Sequence, residues 1–139
     1  MPLILTAAFG LTQLAAGSLG WTGTMAAPAT NPGHYAIQGT VDMEPFGPQQ
    51  THVQVKIANT LPGEEYSWSL HRGACGADDK ALAATTGSGT LVEGGGGTAQ
   101  SAAMFGFSLP AEGRFHVSVR ANNGATPRAV VACAELRAP

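Results

Sequence analysis

Tyr66-Ser67-Trp68-Ser69-Leu70-His71-Arg72-Gly73-Ala74-Cys75-Gly76 and, near the other end, Arg128-Ala129-Val130-Val131-Ala132-Cys133-Ala134-Glu135-Leu136 are the stretches that decide the fold. In the first, Tyr66, Trp68 and Leu70 alternate with Ser67, Ser69 and His71, the period of a strand with one face buried. The run then breaks at Gly73 into a loop that carries Cys75. The second is a β-branched run that carries Cys133, the only other cysteine of the chain. Two cysteines 58 positions apart, with no C-x-x-C pair, read as one long-range disulfide in an exported protein. Two buried free thiols are the alternative.

Outward from these stretches the same period recurs. Tyr35, Ile37, Gly39, Val41 and Met43 share a face, as do Val53, Val55 and Ile57, with His52, Gln54 and Lys56 opposite. Ala99 to Leu109 places Ala103, Phe105 and Phe107 on one side. Phe115, Val117 and Val119 alternate with His116, Ser118 and Arg120, so the histidines fall on rows expected to face water. Thr90 to Val92 reads as a short strand. Leu61-Pro62-Gly63 and Asn123-Gly124 are turn signals. Gly94 to Gly97 reads as a flexible hairpin connection, because a phosphate loop would need a following Lys-Ser/Thr and a helix. About seven short strands without a helix predict an all-β, two-sheet antiparallel sandwich over residues 34–137, immunoglobulin-like in its layers, with Trp68 beside the disulfide in the core.

The front of the chain differs in kind. No charged side chain precedes Asp42, and Leu3 to Gly17 is mostly apolar. Residues 1–29 read as an apolar leader and 30–33 as a linker. Ala27-Pro28-Ala29 fits a signal-peptidase site, although no Lys or Arg precedes the apolar run. The rival reading is a retained anchor, since Leu3 to Ala27 is long enough to span a bilayer. Leu3, Ile4, Leu5, Phe9, Leu11, Leu14 and Trp21 are then the expected contacts with membrane or partner. Either reading puts the sandwich on the periplasmic side of a bacterial membrane, or outside the cell.

Composition narrows function. The formal net charge is −2 and 12% of residues are charged, about half the usual share. No basic stripe is present for nucleic acid. The chain has no G-x-S-x-G elbow. The acid pairs Glu64-Glu65 and Asp78-Asp79 fall in expected turns, where solvated charge is the default.

The segment Tyr66 to Gly76, with Val130-Val131-Ala132-Cys133, resembles the copper/zinc superoxide dismutase pattern. There a His-x-His strand runs into a loop whose cysteine bonds to one on the last strand. The resemblance implies an eight-strand-like Greek-key sandwich with a Cys75–Cys133 bridge. Its metal site does not carry over. Ser69 stands where the first histidine of the pair would be, and no Gly-x-His-x-Asn-Pro loop follows. A metal site needs three or four ligands at fixed geometry. His71 and His116 are the candidates that remain, and no cofactor is expected. The chain also looks like the small membrane-extrinsic polypeptides on some bacterial photosynthetic reaction-centre and antenna complexes. That resemblance implies a non-catalytic accessory subunit docked on a larger membrane complex. A free periplasmic binding module and a metal-dependent dismutase-like enzyme are the alternatives.

Overall fold

Most strands form where apolar side chains repeat every second residue, and nine strands account for most of the computed structural model. It describes residues 20–27, 37–77, 80–87, 89–122 and 130–139. In chain order these are β1 (Trp21–Met25), β2 (Gln38–Pro45), β3 (Thr51–Ala58), β4 (Tyr66–Arg72), β5 (Ala84–Gly87), β6 (Thr90–Gly95), β7 (Thr98–Phe105), β8 (Phe115–Ala121) and β9 (Val130–Leu136). All pairings are antiparallel. The hydrogen-bonded order is β1-β2-β3-β7-β6-β4-β8-β9, with β5 also on β7. The connections β3 to β4 and β7 to β8 pass between sheets, which gives the Greek-key arrangement. Among the described residues no helix is long and apolar enough to cross a membrane.

The inward rows are those the alternation selects. Val41, Met43, Val53, Val55 and Ile57 of one sheet face Leu70, Val117, Val119, Ala132 and Ala134 of the other, all essentially inaccessible. Rings run through this core in an unbroken series: Trp21 to Phe115 (5.4 Å between centroids), Phe115 to Phe107 (6.4 Å), Phe107 to Phe105 (5.8 Å) and Phe105 to Trp68 (6.2 Å). Each buried aromatic removes about 150–250 Å² from water.

Two seams turn the sandwich into a nearly closed barrel. At the first, β1 meets β9 through two isolated bridges, Thr22 with Arg137 and Ala26 with Cys133. Each bridge exchanges both backbone hydrogen bonds, at 2.8–3.2 Å. A Cβ on Gly23 would lie 2.8 Å from the Glu135 carbonyl oxygen, so only glycine allows the approach. At the second seam, residues 82–87 and 89–95 weave between β4 and β7. Leu82 N–H donates to Leu70 O, β5 pairs with β7, Trp68 N–H donates to Gly89 O, Thr90 and Leu91 pair with β4, and Val92 to Gly95 return to β7.

The turns follow their residues. Leu61-Pro62-Gly63-Glu64 closes with Glu64 N–H on Leu61 O, with Gly63 at φ +76°, the backbone a type II turn demands. Gly95, Gly96 and Gly97 make the β6–β7 hairpin with φ of +85°, +65° and +75°. Asn123-Gly124 lies outside the described residues.

Two elements were not expected. The expected leader, 1–29, contains strand β1 (Trp21–Met25), paired along its length with β2 from Trp21–Met43 to Met25–Gly39. Its alternation (Trp21 and Met25 in, Thr22 and Thr24 out) is hidden in an uncharged neighbourhood. β5 is exposed at all four positions, so it has no apolar row to announce it. Among the described residues the sandwich therefore has nine strands rather than about seven, and it begins upstream of residue 34.

Candidate functional site

On the outer face of β4, β8 and β9, the register brings polar side chains into adjacent rows. Ser69 faces Ser118 and His71 faces His116 across β4–β8, and Ser118 faces Cys133 and His116 faces Glu135 across β8–β9. The Gly73–Ala77 loop folds back over this face. It is pinned by the Cys75–Cys133 disulfide, with Cα atoms 6.1 Å apart, and by Cys75 N–H donating to Glu135 Oε1 at 3.2 Å. Arg114 Nη2 reaches the same oxygen at 3.2 Å, an exposed pair whose contribution to stability is small.

Under the loop sit the two histidines. Their rings stack at 4.9 Å, 6° from parallel. His71 is 7% exposed and His116 2%, which corrects the expectation that their rows face water. The rows do point out of the sandwich, but the disulfide loop roofs them. His71 Nε2 lies 2.7 Å from Ser69 Oγ, and His116 Nδ1 lies 2.9 Å from Gly73 O. Gly73 O is a pure acceptor, so His116 carries its proton on Nδ1 in this arrangement. Ser118, also buried, has its hydroxyl 4.0 Å from Cys133 Sγ.

This arrangement can do little metal chemistry. Two imidazoles face to face at stacking distance do not converge on one point, and Ser69 replaces a potential third ligand with a hydroxyl. Among the described residues no three His, Cys, Asp or Glu side chains converge on a point where an ion could sit. Beside the disulfide, above the β1–β9 seam, lies an open groove of about 740 Å³ lined by Thr22, Thr24, Thr40, Asp42, Glu135 and Arg137.

The other expected positions fall as follows. Cys75 and Cys133 are bonded, and no free thiol remains. Trp68 is not beside them: it lies on the inward row, opposite Val119, while Cys133 and Ser118 occupy the outward row of the same sheet. Trp21, expected among the contacts with membrane or partner, is 2% exposed in the core, its Nε1 donating to Pro110 O at 2.9 Å. Leu3, Ile4, Leu5, Phe9, Leu11 and Leu14 lie outside the described residues. Burial of the histidine pair could have been suspected from Gly73 and Cys75. A loop tied back to the last strand must cover the row beside Cys133.

Comparison with family models, curated proteins and solved structures gives no significant match.

Proposed function

We propose that the chain is a non-catalytic accessory subunit, tethered at the periplasmic face of a bacterial membrane by its apolar front segment and docked on a larger membrane protein complex. A photosynthetic reaction centre–antenna assembly is the complex we favour. The observation that carries the reading is β1. Its Trp21 and Met25 fill the core and its ends bridge to β9. Cleavage after Ala29 would remove that strand, which supports a retained front segment over processing at Ala27-Pro28-Ala29. The apolar run of Leu3 to Gly17 ends three residues before β1 in the sequence. Extraction of membranes in mild detergent should recover the chain in a large assembly, with the apolar run from Leu3 still attached by intact mass. Recovery as a soluble monomer, or a mature N-terminus at Thr30, would refute it.

The rival reading, a metal-dependent dismutase-like enzyme, would need ligands beyond the stacked His71 and His116. Stoichiometric copper in the purified protein, with activity lost in His71→Ala, would establish that reading instead.

A further inference from the structure

We infer that one particular end of the barrel, the one carrying the β2–β3 hairpin and the β7–β8 loop, rests on the lipid surface. This deepens the proposed tethering by naming the face that meets the bilayer.

Strand direction defines the two ends. β1 starts at Trp21, whose partner on β2 is Met43, next to the 45–51 hairpin. Thr51 pairs with Phe105, Arg72 with Phe115, and Thr22 bridges to Arg137. The start of β1, the hairpin, the 106–114 loop and the C-terminal residues therefore share one end. The β3–β4 turn with Leu61 and the glycine hairpin lie at the other.

The chain enters at the first end. Gly17 closes the apolar run and Trp21 is already fixed in the core. Four residues span at most about 14 Å when fully extended. A membrane that holds the apolar run cannot stand further than that from this end, and the opposite end cannot be turned toward it.

The end is also built for contact. Phe46, at the hairpin, is 56% exposed, while Phe107 and Leu109 of the adjoining loop are only partly covered. Three side-chain bonds weld the parts into one plate: Ser108 Oγ to Pro48 O (2.6 Å), Thr51 Oγ1 to Phe107 O (2.7 Å) and Trp21 Nε1 to Pro110 O (2.9 Å). An aromatic held on a rigid hairpin loses little entropy on entering the interface. Phenylalanine in that position adds apolar burial to the tether. Arg72, Arg114 and Arg137 stand at this end with Glu44, Glu112 and Glu135. The contact is therefore apolar and should not depend on lipid charge.

The experiment uses the full chain with phosphatidylcholine vesicles and an environment-sensitive fluorophore on an added cysteine, either Phe46→Cys or Leu61→Cys. Flotation with the vesicles tests the tether. With brominated acyl chains the label at 46 should shift to the blue and lose emission, and the label at 61 should not change. Adding phosphatidylglycerol should leave both results as they are. Hydrogen exchange on the unaltered chain is the check that needs no variant. Vesicles should slow exchange over 45–50 and 106–113 but not over 59–65. Flotation with the 61 label quenched, or with neither quenched, overturns the face while leaving the tether standing. Failure to float removes the tether, and the face with it.

Discussion

The barrel closes twice, and the two seams are built differently. At the β1–β9 seam, five residues supply Trp21 and Met25 to the core, and the neighbouring strand is held covalently through Cys133. At the woven seam, the ten residues of β5 and β6 contribute Leu91 as their one buried side chain, and pairing with β7 slips register at Ala84/Thr86 and at Glu93/Gly95. Both seams need a glycine where backbone crosses carbonyl. A Cβ would meet Glu135 O at Gly23 and Trp68 O, at 2.4 Å, at Gly89. Backbone pairing can thus close a sheet without much burial, but apolar area gives a seam its strength. The first seam should carry the stability and the second should tolerate change.

Breaking the first seam should have the largest effect. Trp21→Ala removes a buried indole, its edge contact with Phe115 and its bond to Pro110 O, and should destabilise the fold by about 3–5 kcal/mol in denaturant titrations. Replacing both cysteines by serine removes a cross-link over 58 positions, and the chain-entropy treatment gives a loss of about 4 kcal/mol. An unchanged denaturation midpoint under reducing conditions would contradict it. Gly23→Ala should cost about 1–3 kcal/mol by forcing β1 away from β9, read as a lower midpoint with an unaltered slope. Native-state hydrogen exchange should separate the seams directly, with the amides of Ala84–Gly87 opening before those of Trp21–Met25. The smallest effect belongs to Val92→Thr. Val92 is 67% exposed, and its replacement should stay within about 0.5 kcal/mol of the parent.

Most of the architecture was legible because it rests on a period of two with one wet face. Val53, Val55 and Ile57, or Phe115, Val117 and Val119, leave no other assignment once the intervening residues are polar. β1 escaped because Trp21-Thr22-Gly23-Thr24-Met25 lies in a stretch with no charge to mark its outer side. β5 escaped because a strand that buries nothing has no pattern. At the histidine pair the alternation gave the correct face and the wrong solvent exposure. Periodicity assigns a side chain to one side of a sheet, whereas its cover comes from a loop tied down far along the chain. The stacking of His71 on His116 needs β4 and β8 to be neighbours at one register, which local sequence does not encode.

The two indoles report separately on this closure. Trp21 belongs to the clasped side, and Trp68, whose backbone N–H holds Gly89, belongs to the woven side. Trp21 Nε1 has Pro110 O as acceptor, whereas Trp68 Nε1 has no hydrogen-bond partner among the described residues. Their side-chain proton resonances should therefore be well separated, and fluorescence from Trp21→Phe and Trp68→Phe proteins would time the loosening of each side on its own.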